Sequence, residues 1–337
     1  MSAFSTITVK ELHPTFAAEV QGVDFQNLSD KQFDEVYGVC VFRKTGLSDA
    51  KHVEFSRRLG ELDHTRRYMV AGRKSRYEFY ELFDAGNIDE NGGVLDPNSP
   101  KAQFGKGNAL FHVDSSFNPR RSSFSCLRAI TIPPPNQGLG GNTDFADSRT
   151  AWDDLDNATK QDLLDNDYVG AHTIAYSRKL GSPEFFKDLD PTKDGFSRHR
   201  ILQKHEPSGR MNLYIAAHMH HIEGLPEDKS TALRNKLLDH VSQEKYTVSL
   251  GWENESDMII WDNRCTLHRA AGGAFEGKYK RDLRRTTVHD DSPTAWGLNK
   301  VDMSFTEPKK TADAAHEAIA KKLGFQHEAP KTVDVNA

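Results

Sequence analysis

The chain has 337 residues, 24 of them glycine and 14 proline, and 36% are hydrophobic, which suits one large globular domain or two small ones. Its 44 Lys and Arg against 49 Asp and Glu leave a net charge of −5 without a long basic run, which argues against nucleic acid and membranes as partners. No apolar stretch reaches the roughly 20 residues of a membrane helix, and the opening Met1-Ser-Ala-Phe-Ser-Thr-Ile-Thr8 lacks the blocks of a signal peptide.

Three cysteines, Cys40, Cys126 and Cys265, fit neither a disulfide framework nor a zinc pattern. They are expected to be buried thiols of a cytoplasmic protein. Assembly into a homo-oligomer is left open on these grounds.

Along the chain, Ser29-Asp30 can cap a helix carrying Phe33, Val36 and Tyr37, and Val39-Cys-Val-Phe42 reads as a buried strand. Ser48 caps a second helix with Val53 and Phe55 inward, ending near Leu59-Gly60. Residues 84–108 are rich in Gly, Asn, Asp and Pro and are expected to form a long loop, of the kind that serves as a lid. Short β-rich runs follow at Ile130–Pro133, Leu213–Ala216, Tyr246–Leu250, Met258–Trp261 and Arg284–Val288, punctuated by turns such as Gly140-Gly-Asn142. Amphipathic helices are expected near 148–165 and 226–243. Many short strands between Pro and Gly turns point to a sandwich or jelly roll. Residues 1–297 then form a single domain, and 298–337 a polar extension with a helix at Asp313–Leu323.

His112-Val-Asp114 carries the chemistry. Residues i and i+2 of a strand project to one side, so this imidazole and carboxylate can grip one ion. His268, in Trp261-Asp-Asn-Arg-Cys-Thr-Leu-His268, can complete a two-His, one-carboxylate set that leaves metal positions open, as in non-haem Fe(II) oxygenases. The tripeptide alone is weak, since about one His-x-Asp is expected by chance in such a chain, and a second stands at His289-Asp-Asp291. On the strand around 281–287, alternation puts Arg281, Leu283, Arg285 and Thr287 on one face, with Asp282, Arg284 and Thr286 on the other. Two arginines four apart on one face repel unless an anion or a carboxylate sits between them, the alternative being exposed charges on an edge strand.

Five ordered blocks closely resemble the taurine dioxygenase family. They are Asn108–Phe117, Gly140–Asp147, Ala217–Pro226, Trp261–Arg269 and Arg281–Thr287, and within the family they are most similar to the 2,4-dichlorophenoxyacetate/2-oxoglutarate dioxygenase branch. The resemblance implies a mostly β protein with flanking helices, folded as a double-stranded β-helix (a cupin-like jelly roll). It also implies Fe(II), 2-oxoglutarate and O2, with release of succinate and CO2 and hydroxylation of a small anionic substrate. His112, Asp114 and His268 match the iron ligands, Arg281 the arginine that pairs with the distal carboxylate of 2-oxoglutarate, and Thr143 the hydroxyl that assists it. Arg285 matches a second arginine near the co-substrate and the substrate's anionic group. Asn87, His205, His218 and His221 match positions associated with substrate. Desaturation at the same iron, a catalytically silent jelly-roll binding protein and a zinc hydrolase are the rival readings. Alternation places His218 and His220 on one face and His221 on the other, so the three cannot easily meet one ion.

Overall fold

The computed structural model describes residues 7–25, 39–65, 76–193 and 195–302. The helices expected after Ser29 and at Asp313–Leu323 lie outside the described residues. Val39–Phe42 forms strand β3, and the unbroken apolar run is explained by its central place, since all four residues are buried. The major sheet has the order β1 (Thr8–His13), β2 (Ala17–Gln21), β3, β13 (Met258–Asp262), β5 (Ser122–Thr131), β15 (Asp282–His289), β4 (Phe83–Asp84). Its neighbours are antiparallel except for the parallel pair β2 and β3.

A second sheet, β12 (Thr247–Leu250), β6 (Thr143–Asp147), β14 (Thr266–Ala270), packs against the first. Leu127, Ile259, Trp261 and Leu283 of the major sheet share one apolar cluster with Phe145 and Leu250 of the minor one. The rings of Phe145 and Trp261 meet edge to face at 5.4 Å. The two layers thus bring β6 and β14 over β5, β13 and β15, so that residues far apart in sequence line one space. Smaller sheets pair β9 (Leu202–His205) with β10 (Arg210–Leu213), and β7 (Val169–His172) with β8 (Ser197–Arg200) and β11 (Met219–Ile222).

Helices lie outside the sheets. Helix α1 (Asp49–Arg57) is capped by the Ser48 hydroxyl, which accepts from Lys51 N–H, and it buries His52, Val53, Phe55 and Ser56. Residues 84–108 are not loop throughout: Ser99 caps and Pro100 opens α2 (Pro100–Gly105), and a 3-10 turn follows at Lys106–Ala109. The helix expected near 148–165 is two, α3 (Ser148–Asp153) and α4 (Asn157–Asn166), because Asp156 starts a new helix by accepting from Thr159 N–H at 2.9 Å. Helix α5 (Ile174–Gly181) has no counterpart in the sequence reading, whereas α6 (Glu227–Val241) falls where one was expected.

Two strand limits also differ. Of Ile130–Pro133 only Ile130 and Thr131 belong to a strand, as the end of β5, which runs back to Ser122 through serines buried in the protein. Only Leu213 of the run 213–216 belongs to a strand, and Tyr214–Ala216 are buried without joining a ladder. All three cysteines are buried free thiols, as expected.

Candidate metal centre and co-substrate pocket

His112 and His268 face each other across an isolated antiparallel bridge. The His112 N–H donates to the His268 carbonyl at 3.0 Å, and the return bond is 2.8 Å. This backbone pairing places the imidazole rings 4.3 Å apart, while Val113 between the two ligands turns into the core. One ligand atom from each of His112, Asp114 and His268 lies within 4.8 Å of the others, and all three residues are buried. His268 Nε2 is 3.7 Å from Asp114 Oδ1.

The tautomers suit metal binding. His112 Nδ1–H donates to the Leu110 carbonyl at 2.7 Å, which leaves the Nε2 lone pair free. Burial drives the His112 pKa down to about 4 and His268 well below the ordinary imidazole range, so both are neutral donors. Burial would raise the Asp114 carboxyl, but Arg285, the two imidazoles and the Ser125 hydroxyl outweigh it and hold it below the usual range. Arg285 Nη1 donates to Asp114 Oδ1 at 2.6 Å and Ser125 Oγ to Oδ2 at 2.7 Å. Asn263 accepts from the Asp114 N–H at 3.0 Å and is itself oriented by Trp261 Nε1–H at 3.0 Å. Ser125 and Asn263 escaped the sequence reading. Asn263 stood inside a matching block, but Ser125 carried no signal.

Two nitrogens and one carboxylate oxygen on one small space fit Fe(II). A second acidic, histidine-bearing group, His205, Asp262 and Cys265, differs from this one. There Arg264 already donates to both oxygens of Asp262, at 2.9 and 2.7 Å. His289 belongs to neither group: its Nε2 lies 3.8 Å from Asp63, and its neighbour Asp290 pairs with Arg121.

Arg281 and Thr143 meet the requirements of a diacid. Arg281 is buried, and among the described residues its guanidinium bonds only to carbonyls, Gly141 at 3.0 Å and Ala85 at 3.2 Å. Burial lowers its pKa to about 10. Gly141, at φ +88°, lies so close that a Cβ there would stand 3.6 Å from Arg281 Cδ. Thr143 Oγ1 is buried without a hydrogen-bond partner among the described residues. A buried cation that makes no hydrogen bond to an acid among the described residues, with only the charge of Glu276 nearby, and a hydroxyl with no partner there are groups a carboxylate would satisfy.

The remaining site residues divide. Asn87 sits beside Arg281, but its amide is occupied, donating to the Tyr279 carbonyl at 2.9 Å and accepting from the Arg281 N–H at 2.7 Å. It fastens the 84–108 segment to the start of β15. His218 is buried beside the metal ligands, its ring 5.3 Å from that of His112 and its Nδ1 2.8 Å from Ser177 Oγ. His205 is drawn elsewhere, with Nε2 3.0 Å from Asp262 and Nδ1 2.7 Å from Ser208 Oγ. His221 is half-buried, with its Nδ1 3.0 Å from His220 Nδ1. The expected alternation of 218, 220 and 221 does not hold. A bulge between Met219 and His221 sets His220 and His221 side by side, apart from the buried His218.

A buried set of two imidazoles and one carboxylate, on a fold that also buries Arg281 and the Thr143 hydroxyl, defines the class as an Fe(II)- and 2-oxoglutarate-dependent dioxygenase. Residues 8–287 match the family model of taurine catabolism dioxygenase TauD, TfdA family, and the chain belongs to that family. It is 32% identical over 294 residues to the alpha-ketoglutarate-dependent 2,4-dichlorophenoxyacetate dioxygenase of Cupriavidus pinatubonensis, covering 85% of this chain and 99% of that one. It is 28% identical over 278 residues to the (S)-phenoxypropionate/alpha-ketoglutarate-dioxygenase of Sphingobium herbicidovorans, covering 78% and 88%. The crystal structure of AAD-2 in complex with Mn(II) and N-oxalylglycine superposes with a TM-score of 0.75 at 30% identity, over 86% of this chain and all (100%) of the other. Among the described residues no helix is long and apolar enough to cross a membrane.

Proposed function

We propose that this dioxygenase hydroxylates a small anionic substrate, a carboxylate or sulfonate. In this reading the two layers form a double-stranded β-helix, residues 1–297 act as a single cytoplasmic domain, and 84–108 borders the substrate. The observation that carries it is the buried set of His112, Asp114 and His268 together with the strand pairing beside it: Thr143, whose hydroxyl has no hydrogen-bond partner among the described residues, pairs with Ala270 on the strand of His268, and Arg281 donates to the Gly141 carbonyl two residues before Thr143.

His112, Asp114 and His268 would hold the metal. When bound, Fe(II) supplies the activation of O2 against 2-oxoglutarate that ends in succinate, CO2 and an oxidised substrate C–H bond. The protein's part is to bind and orient. Arg281 and Thr143 receive the distal carboxylate of 2-oxoglutarate, a group that N-oxalylglycine, the diacid bound to the AAD-2 relative, also carries. Arg285 and Ser125 fix the Asp114 carboxylate in its ionised form, at 2.6 and 2.7 Å. Phe145 and Trp261, with ring centroids 6.3 and 4.6 Å from that of His268, shield the ligand from water. The anionic substrate is supported by the excess of guanidinium groups here and by relatives named for phenoxy acids.

The test is succinate release from 2-oxoglutarate with iron and ascorbate, across carboxylates, sulfonates and their neutral esters. Acid-dependent succinate with a hydroxylated or hydroxylation-cleaved product is expected. Esters turned over as well as the acids would end the anionic reading.

A further inference from the structure

Arg178, on α5, is 4% exposed, yet it has no acidic hydrogen-bond partner among the described residues. Its Nη1 donates to the Phe104 carbonyl at 3.0 Å and to Asn108 Oδ1 at 2.8 Å. The guanidinium carbon lies 4.3 Å from the centre of the Phe104 ring, which covers the fork. Nε is buried without a partner. The head is therefore held by one nitrogen, while Nε and Nη2, the edge that takes a carboxylate side-on, make no bond to the described protein.

The place of this cation ties it to the metal centre. The preceding residue, Ser177, holds His218, whose ring stands 5.3 Å from the His112 ring. Asn108, which holds Nη1, lies four residues before His112. A Cβ on Gly107 would come within 2.5 Å of Arg178 Nη1, and one on Gly181 within 2.5 Å of Gly107 N. The glycines let the 3-10 turn and α5 close around the side chain. Burial and the like charge of Arg285 lower the Arg178 pKa to about 9, and Asp114 opposes them. Two guanidiniums, Arg178 and Arg285, thus face the Asp114 carboxylate, and Arg285 already occupies it. One diacid at Arg281 leaves Arg178 without a counter-charge, and a buried cation in that state is costly.

We propose that Arg178 anchors the anionic group of the primary substrate through its Nε and Nη2 edge, between α5 and the segment that leads into His112. The proposal rests on the anionic-substrate reading above. It separates the two anions by address: Arg281 for the co-substrate, Arg178 for the substrate.

The experiment is calorimetric binding of phenoxyacetate, 2-phenoxypropionate and phenylmethanesulfonate, and of phenoxyacetamide as neutral counterpart. The protein is loaded with Mn(II) and 2-oxoglutarate, with thermal midpoints measured alongside. Wild type is expected to favour acid over amide by about 100-fold. Arg178→Gln should weaken the acids about 100-fold and the amide far less. Arg178→Lys, which keeps the charge but loses the fork, should weaken the acids about 10-fold. Affinity for 2-oxoglutarate should move less than about threefold in both. An unchanged acid-to-amide ratio in Arg178→Gln overturns the proposal, leaves the anionic reading standing, and reduces Arg178 to a tie between α5 and residues 104–108. Should that variant fail to fold, an unchanged ratio in Arg178→Lys overturns it equally. A wild type that does not prefer any acid over the amide removes the anionic reading itself, and this proposal with it.

Discussion

Replacing Arg281 with methionine separates what this side chain costs the free protein from what it contributes to co-substrate binding. The residue is 7% exposed, and its guanidinium leans on two neutral carbonyls, Gly141 and Ala85. These bonds only partly offset the loss of hydration. In the proposed site a carboxylate of 2-oxoglutarate would complete the set with a desolvated, forked ion pair. Truncating one partner of such a pair costs about 2–5 kcal/mol, or roughly 30-fold to several thousand-fold in Kd. Methionine keeps most of the stem's volume beside Gly141 and Phe275, so the ligand-free Arg281→Met protein should unfold no earlier than wild type. The assay follows the thermal midpoint with Mn(II) and rising 2-oxoglutarate in the absence of O2. At 100 times its Kd the co-substrate stabilises wild type by about 2.7 kcal/mol, and the variant should gain almost nothing at that concentration. A variant that keeps its 2-oxoglutarate affinity within about threefold refutes the reasoning. The role would then pass to Arg285, since Arg284 is bound to Asp49 and Asp282.

Thr143→Val removes one neutral hydrogen-bond partner and should weaken 2-oxoglutarate by about 1 kcal/mol, or some fivefold, read in the same titration. His112→Ala, Asp114→Ala and His268→Ala should each lower Fe(II) content after dialysis and abolish succinate release, while His289→Ala keeps its iron; full activity in Asp114→Ala would contradict the ligand set. Acid should destabilise the fold through histidines outside the metal set. Burial pulls His52 to about 3, His199 to about 4 and His172 well below the ordinary value of 6.5, so the unfolded chain takes up protons that the native state refuses. Their contribution is intact above pH 6.5 and lost as pH falls towards 4 and 3, at about 1.4 kcal/mol per pH unit for each group. Urea midpoints that stay flat from pH 7 to 5, or an unchanged slope in His52→Gln, would contradict this.

Much of the metal centre was legible because its logic is local. His112 and Asp114 need only the two-residue period of an extended chain, and His268 sits in a block whose residues remain together on β13 and β14. The faces of β15 followed from the same period: Leu283 is fully buried, and Arg284 turns to Asp49 and Asp282 on the opposite side. What failed were features decided by neighbours distant in sequence. The bulge that pairs His220 with His221 exists because β11 lies against β7 in a broken register, and nothing in Ala217–Ile222 announces it. The division of 148–165 into two helices could have been seen in Asp156, an N-cap residue, but the amphipathic pattern runs across it.

The arginines show where pattern stops and contact begins. Alternation put Arg281 and Arg285 on one face and required an anion for each, but it could not say which anion. The structure distinguishes them by depth and by neighbour. Arg285 lies opposite the buried Asp114 and is partnered at 2.6 Å, whereas Arg281 hydrogen-bonds only to carbonyls among the described residues. Arg178 had no signal at all, because α5 is a single short helix for which the sequence offered no reading, and its burial depends on Gly107 and Gly181 coming together from segments more than 70 residues apart. Charge in this site is therefore arranged by long-range packing around a locally encoded metal set. On the proposed assignment, what surrounds residue 178 sets the substrate, while His112, Asp114 and His268 set the chemistry at the metal.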